Sequence, residues 1–152
     1  MKWKYESRDS AQYIYLHDCE CEKIYNRKND IIMNMNWMEI LENHPDNPYN
    51  EPHQSGIGII ELLDCKIVKC EHTKGDKTTS ISNLKDIEFD EFEILDFDIK
   101  ENKETLQAYI YMLKTKPQKE YEDISIIIDF KHSITKFNKL NNVSWFFEFN
   151  KN

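Results

Sequence analysis

The sequence contains very little alanine, and this shortage narrows the fold. Of its 152 residues only 2 are Ala, whereas 19 are Ile and 19 are aromatic. Alanine favours helices, while β-branched and aromatic side chains fit the half-buried surface of a sheet. We therefore expect an all-β, mainly antiparallel fold: a β-sandwich or a partly closed barrel of about 8–10 strands, with at most one or two short helices. A single globular domain should span residues 1–152.

Positive charge, long apolar runs and a secretory leader are also scarce or missing. The 20 Lys and Arg residues face 28 Asp and Glu residues, for a net charge of −8. This balance disfavours binding to nucleic acid and to anionic membrane surfaces, which attract Lys and Arg. No apolar run approaches the roughly 20 residues of a membrane-spanning helix, and the N-terminus lacks the apolar segment of a signal peptide. We expect a cytoplasmic protein with four reduced cysteines.

Alternation of apolar and polar residues predicts most of the strands. The clearest case is residues 31–37, whose core-facing set should be Ile31, Met33, Met35 and Trp37. Residues 106–113 and 124–130 alternate in the same way. We expect these two segments to form an antiparallel pair across a loop centred on Pro117.

Other segments give weaker patterns. Residues 56–70 should form a long strand with a bend near Asp64, and Val143 to Phe149 should form a terminal strand because Val143, Trp145, Phe147 and Phe149 alternate with other residues. Residues 37–43 and 132–140 are the only candidates for short helices.

The segment from Asp86 to Glu104 concentrates negative charge. It carries nine carboxylates and two lysines among large apolar residues. Leu95, Phe97 and Ile99 alternate with two aspartates, which predicts a strand with one acidic face, and a change of parity near Phe92 indicates a bulge. One interpretation is an edge strand charged to prevent self-association. The other is a face that attracts a basic partner, with the candidate binding residues Asp86, Glu88, Asp90, Glu91, Glu93, Asp96 and Asp98.

The four cysteines admit two interpretations. Cys19 and Cys21, together with Cys65 and Cys70, could offer four thiolates to structural zinc. However, Cys65 and Cys70 have an odd separation, so a regular strand would point them to opposite faces. The alternative is that all four behave as small buried hydrophobic residues. We expect no metal and no cofactor.

The adjacent residues His17, Asp18 and Cys19 contain the side-chain types of a catalytic triad. A strand would place His17 and Cys19 on one face and Asp18 on the other, so the spacing does not assemble the triad. A histidine with a local hydrogen bond at a strand end is the better explanation. We do not expect an enzyme.

Residues 42–55 hold three prolines, which exclude a continuous helix or ladder. His44 and His53, with Asp46 and Glu51, could bind a transition metal if this loop folds back, but no short His-x-His or His-x3-His spacing is present. A solvated loop is the alternative.

A different function class remains open, because aromatic residues recur at alternating positions. They could line the interior of a barrel that binds a small ligand or a metal, with residues 44–53 as a lid; the set is Trp37, Tyr109, Tyr111, Trp145 and Phe147. Ordinary core packing explains the same pattern.

The whole chain, β-rich, acidic and without a catalytic motif, resembles the small immunity proteins of bacterial polymorphic-toxin and contact-dependent inhibition systems. Its opening Tyr-Ile-Tyr-Leu-His-Asp-Cys (13–19), followed by an alternating strand, also resembles the start of small β-rich bacterial proteins. The first resemblance implies an antitoxin that blocks a basic toxin domain with an acidic surface. We therefore expect a non-enzymatic protein-binding module whose partner is a basic protein.

Overall fold

The computed structural model describes residues 2–89, 92–114 and 120–149, apart from the side chains of residues 148 and 149. The described strands are β1 (Tyr5–Arg8), β2 (Ile14–Tyr15), β3 (Cys19–Arg27), β4 (Asp30–Met35), β5 (Glu39–Ile40), β6 (His53–Ser55), β7 (Gly58–Leu63), β8 (Lys66–Lys74), β9 (Lys77–Ser80), β10 (Phe92–Asn102), β11 (Thr105–Lys114), β12 (Glu122–Phe130), β13 (His132–Phe137) and β14 (Leu140–Val143). One helix, α1 (Trp145–Phe149), and two 3-10 turns, Ala11–Tyr13 and Leu84–Asp86, complete the described elements. The expected all-β class is confirmed. The 14 described strands exceed the expected 8–10, and three of them span only two or three residues.

The described strands form two antiparallel sheets. The larger has ten strands in the order β1-β13-β7-β4-β3-β10-β11-β12-β8-β9, and the smaller has the order β14-β6-β5-β2. Strands β1 and β9 end the large sheet, so among the described residues it is open and does not close into a barrel. The two halves of this sheet meet at a short contact, where β3 pairs with β10 through two residues of each strand.

One hydrophobic core lies on the inward face of both halves of the large sheet. It includes Ile31, Met33 and Met35 of β4, which the alternation predicted to face inward. The inward residues of β11 and β12 join the same core, and Trp37 packs against it from beyond the end of β4. Burial of these apolar side chains is the main favourable contribution to folding.

The predicted pair of long strands is confirmed. β11 and β12 are antiparallel in a continuous register from Leu106 opposite Phe130 to Leu113 opposite Asp123. The loop predicted around Pro117 lies outside the described residues.

The single bent strand expected at residues 56–70 is two strands. Asp64 lies between β7 and β8 with φ at 54°, in the left-handed region that asparagine and aspartate tolerate better than most residues. β7 pairs with β4 and β13, whereas β8 pairs with β12 and β9. The corner at Asp64 therefore carries the chain from one half of the large sheet to the other.

Three local predictions are wrong. The terminal strand ends at Val143, and Trp145–Phe149 forms α1, because the backbone N–H groups of Ser144 and Phe147 bond to the carbonyls of Pro52 and Ser144 instead of to a neighbouring strand. Residues 37–43 contain the short strand β5 instead of a helix. Residues 132–137 form β13, which is hydrogen-bonded on both sides by β1 and β7.

The proline-rich loop packs against β13. His44 is buried, its ring lies edge-on to Phe137 at 5.7 Å, and its Nε2 is 3.0 Å from Thr135 Oγ1. His53 is also buried, as part of β6. The loop is therefore anchored by its two histidines, while residues 42, 43, 45 and 48–50 are exposed to solvent.

Candidate functional site

The outward face of β10, β11, β12 and β8, together with the end of β3 that pairs with β10, is a half-buried to exposed, negatively charged surface, which we call the acidic face. The bulge between Ile94 and Asp96 adjusts the register of β10, so that Asp96 lies opposite Tyr111 and Asp98 lies opposite Tyr109. Alternation along the neighbouring strands then assigns the other outward side chains. The carboxylates of the face are Glu20, Glu71, Glu93, Asp96, Asp98, Asp123 and Asp129, and its lysines are Lys66, Lys69 and Lys100. Seven carboxylates against three lysines leave the face strongly negative.

Tyrosines occupy the centre of the acidic face. Tyr109 lies opposite Ile127, and Tyr111 lies opposite Ser125. With neighbouring side chains, including Asp96, they line a groove of about 300 Å³. Tyrosine combines a large apolar ring with a polar tip, which suits a surface that becomes buried on binding.

The tyrosine hydroxyls are held in place by hydrogen bonds on the face itself. Tyr111 and Tyr121 share a hydrogen bond between their hydroxyls. Both hydroxyls also lie within hydrogen-bond distance of Asp123 Oδ2, at 2.9 Å and 2.6 Å. Because each hydroxyl has one proton, at most two of these three contacts are hydrogen bonds at the same time. The pKa of each of these tyrosines is raised, and for Tyr121 the first cause is its hydrogen bond to the Asp123 carboxylate. These interactions preorganise the rings, which lowers the entropy that a partner must remove on binding.

Negative charge on one end of the acidic face is not compensated by cations of the described chain. Glu20 lies directly opposite Glu93, and neither they nor Asp96 form an ion pair with a described Lys or Arg. The pKa of Glu93 is raised, first by partial burial and then by the charges of Asp18 and Glu20. Carboxylates that repel one another in this way favour the approach of a cation.

In the other half of the large sheet, a buried carboxylate is paired with cations. Glu61 is 4% exposed, and its Oε1 lies 3.1 Å from Lys136 Nζ and 3.4 Å from Arg27 Nη1. A buried carboxylate needs such partners. In that half of the sheet a buried carboxylate therefore has two cationic partners, whereas Glu20, Glu93 and Asp96 of the acidic face have no described Lys or Arg partner.

The sequence-predicted binding residues do not form one continuous surface. Glu93, Asp96 and Asp98 lie on the acidic face, and Asp90 and Glu91 lie outside the described residues. Asp86 and Glu88 line a separate cavity of about 430 Å³, whose other residues include His72 and Lys114. This cavity lies on the other side of the sheet, because His72 is opposite the core residue Ile124.

The alternative interpretation of the acidic segment, a charged edge strand, fits part of β10. In the strand order β10 stands between β3 and β11, but only Glu93 and Ile94 pair with β3. Among the described residues, the part of β10 that carries Asp96 and Asp98 pairs with β11 alone, as an edge strand would. The alternation revealed an acidic face but not the neighbours of the strand, because strand order depends on contacts far apart in sequence. The same limit hid the contributions of Glu71, Tyr109 and Tyr111, although the opposite parity of these tyrosines to the core residues of β11 was visible.

The cysteines are placed for packing. Cys19, Cys21 and Cys70 are buried, Cys65 is partly buried, and all are free thiols. Burial raises the pKa of Cys21 and Cys65 to about 12 and that of Cys70 to about 11, and it raises the pKa of Cys19 as well. Thiolates are the form that attacks electrophiles and binds metals. In the described parts of the chain, no three His, Cys, Asp or Glu side chains are grouped to hold a metal ion.

His17 and Cys19 do not form a catalytic pair. His17 Nδ1 donates to the carbonyl of Leu95 at 2.7 Å, and Cys19 Sγ is directed at the carbonyl of Tyr15 at 3.9 Å. His17 therefore makes a hydrogen bond near a strand end, but the bond is not local as predicted, because its partner belongs to β10.

A second histidine lies among hydroxyls without the geometry of a general base. His44 Nδ1 accepts the backbone N–H of Asp46 at 3.0 Å, so Nε2 carries the proton and donates to Thr135 Oγ1. A histidine that donates to a hydroxyl cannot remove its proton. Ser7 and Ser10 complete this hydroxyl cluster, at 2.9 Å and 2.8 Å from Thr135 Oγ1.

The five aromatic residues considered for a ligand-binding interior are dispersed. Trp37 packs against the core, whereas Tyr109 and Tyr111 face outward. Trp145 and Phe147 lie on α1, where Trp145 is 42% exposed.

Comparisons of the chain with protein-family models, curated proteins and solved structures found no match. No helix within the described ranges is long and apolar enough to cross a membrane.

Proposed function

We propose that this chain is a non-enzymatic protein-binding module that uses the acidic face to recognise a basic protein, as an immunity protein neutralises a basic toxin domain. The observation that carries the proposal is an exposed sheet face with tyrosines at its centre and seven carboxylates against three lysines. Opposite charge on a partner would raise the association rate and disfavour acidic competitors. The same charge would repel nucleic acid.

The composition of the acidic face supports a protein partner over a small molecule. Its groove of about 300 Å³ is at the lower limit for drug-sized ligands and lies open on the sheet. Protein interfaces combine aromatic residues at the centre with a polar rim. Tyr109 and Tyr111 with flanking Asp96 and Asp98 have this arrangement.

The test uses charge reversal at two positions of the face. Asp96→Lys with Asp98→Lys places two cations opposite the tyrosines of β11 and changes the net charge by +4. The control, Glu6→Lys with Glu42→Lys, makes the same net change at exposed positions away from the face, in β1 at the far end of the large sheet and in the proline-rich loop. Both pairs of sites are exposed, so both variants should fold; circular dichroism and thermal unfolding check this.

Each tagged protein is expressed in its native host, and the proteins that co-purify at low and at high salt are identified and quantified. We expect one basic protein to co-purify with the wild type and the control at low salt, to be lost at high salt, and to be at least tenfold depleted with the face variant, since like charges across an interface cost several kcal/mol. Equal recovery with the face variant and the control would refute the acidic face as the binding surface. Recovery that does not depend on salt would refute the electrostatic mechanism.

A further inference from the structure

Four rings from distant parts of the sequence form a cluster beside the acidic face; we call it the aromatic anchor, and it consists of Tyr15, His17, Trp145 and Phe146. Neighbouring ring centroids are separated by 6.2 Å for Tyr15 and His17 and by 6.4 Å for His17 and Trp145. The ring centroids of Trp145 and Phe146 are 5.6 Å apart, and those of Phe146 and Tyr15 are 4.8 Å apart, so each ring contacts two others. Tyr15 is 38% exposed and Trp145 is 42% exposed. Two large aromatic surfaces therefore meet solvent at one place.

The bulge of β10 fixes this cluster against the acidic face. The N–H of Asp18 donates to the carbonyl of Ile94 at 2.8 Å, and His17 Nδ1 donates to the carbonyl of Leu95 at 2.7 Å. Bulges free backbone groups from the ladder and redirect a strand locally. Here those freed groups hold the turn that carries two members of the cluster and their neighbour Asp18.

The surroundings of the aromatic anchor are negative. Asp18 follows His17 directly, and Glu93 is close enough to both Asp18 and His17 for their charges to affect its pKa. The charges of Asp18 and Asp96 also contribute to the raised pKa of Tyr15, after its partial burial. Apart from His17 beside Asp18 at 3.5 Å, no described cation pairs with these carboxylates.

Exposed aromatic faces bordered by carboxylates complement a guanidinium group. Arginine stacks on aromatic rings and donates bidentate hydrogen bonds to carboxylates at the same time, whereas the ammonium of lysine is a compact and strongly hydrated charge. Tryptophan, tyrosine and arginine are also the residues most enriched at the energetic centres of protein interfaces.

We propose that the aromatic anchor binds an arginine side chain of the basic partner, with Asp18 and Glu93 receiving its charge. This inference rests on the proposed function, which it deepens by placing the energetic centre of the interface at one end of the acidic face. The face attracts the partner through its charge, and the anchor distinguishes arginine from lysine.

The probes are two peptides of equal charge, octa-arginine and octa-lysine, titrated calorimetrically into the full chain at low ionic strength. We expect octa-arginine to bind about tenfold more tightly than octa-lysine, which is within the range measured for cation–π contacts. Tyr15→Leu with Trp145→Leu should remove this preference, and Trp145→Phe, which keeps a ring, should retain most of it. Tyr49→Leu is the matched control, because Tyr49 is 49% exposed and stacks on His53 instead of on the cluster.

The outcomes separate this inference from the proposed function. If both peptides bind equally, or if the leucine variants keep the preference, the aromatic anchor is refuted; weaker binding of both peptides to the variant with lysines at positions 96 and 98 would still support the acidic face. If neither peptide binds the wild type, both proposals fail. If the double leucine variant is unfolded, the single variant Tyr15→Leu takes its place: a reduced preference for octa-arginine supports the anchor, and an unchanged preference refutes it. In the wild type, the indole N–H resonance of Trp145, assigned from its absence in Trp145→Phe, should shift with octa-arginine, and an unchanged resonance at saturation would count against the anchor.

Discussion

His44 should make the stability of this protein depend on pH in the mildly acidic range. The side chain is 2% exposed, and its Nδ1 accepts a backbone N–H, so the folded state holds a neutral ring. Burial lowers the pKa of His44 to about 4 from 6.5, and the nearby charge of Asp46 opposes this only in part. Protonation requires the loss of the hydrogen bond to Nδ1 in an environment that solvates the cation poorly.

The magnitude follows from the two pKa values. A histidine whose pKa is lower in the folded state contributes its full stability above pH 6.5 and loses it as the pH falls from 6.5 towards 4. Linkage between these values gives a loss of about 2 kcal/mol between pH 7 and pH 5, and about 3 kcal/mol by pH 4. For a domain whose total stability is on the order of 5–15 kcal/mol, this loss is large.

The assay is urea unfolding at pH 7, 6, 5 and 4 for the wild type and for His44→Gln. Glutamine does not titrate, and its amide can still donate to Thr135, so the difference between the two proteins isolates the titration of His44. The variant should be less stable than the wild type at pH 7, and the difference should shrink by about 2 kcal/mol by pH 5. A difference that stays constant over this range would refute the assignment of a buried neutral His44.

Three further predictions concern packing, a buried acid and thiol reactivity. Gly58→Ala should lower the free energy of unfolding in urea by about 1–3 kcal/mol, because its Cβ would lie 2.9 Å from a backbone oxygen. Gly56→Ala should change it by less than about 0.5 kcal/mol, because the nearest atom to a Cβ at Gly56 is 4.0 Å away, and equal effects would contradict the close approach at Gly58. Glu39 is fully buried, and burial raises its pKa, so its contribution to stability is present at acid pH and is lost as the pH rises through that pKa. Glu39→Gln keeps an acceptor for Ser144 and should therefore gain stability relative to the wild type as the pH rises. A loss of relative stability would show that the carboxylate is ionised and favourably solvated. Cys19 should resist iodoacetamide at neutral pH in the folded protein and react after denaturation, as mass spectrometry would record, and rapid labelling of the native protein would contradict its burial.

Much of the fold was predictable because strand formation in this chain leaves a local signal. The alternation at residues 31–37 identified the core residues of β4, and the matching patterns of β11 and β12 predicted their pairing. The alternation of Leu95, Phe97 and Ile99 with aspartates likewise predicted one acidic side, and the change of parity near Phe92 predicted a bulge. The bulge lies at Leu95, close to the predicted change of parity near Phe92.

The wrong predictions concern segments whose residue pattern is compatible with both a strand and a helix. Residues 143–149 alternate as a strand would, but Ser144 is buried, and its hydroxyl donates to Glu39 at 2.6 Å. This contact ends the pairing of β14, and the next five residues turn into a helix. Residues 132–137 had weak helical character on their own, and pairing with β1 and β7 on both sides decided their conformation.

By itself, the sequence determined the fold class, the inward and outward faces of the long strands and the excess of negative charge, because these depend on composition and on the two-residue period of a strand. Only the tertiary structure decided that β10 joins the two halves of the large sheet, that Tyr109 and Tyr111 stand beside its aspartates, and that Tyr15 meets Phe146. Those neighbours come from pairings and contacts between segments far apart along the chain. Such pairings are chosen by which surfaces can be buried together, and this is a property of the assembled core that no local pattern contains.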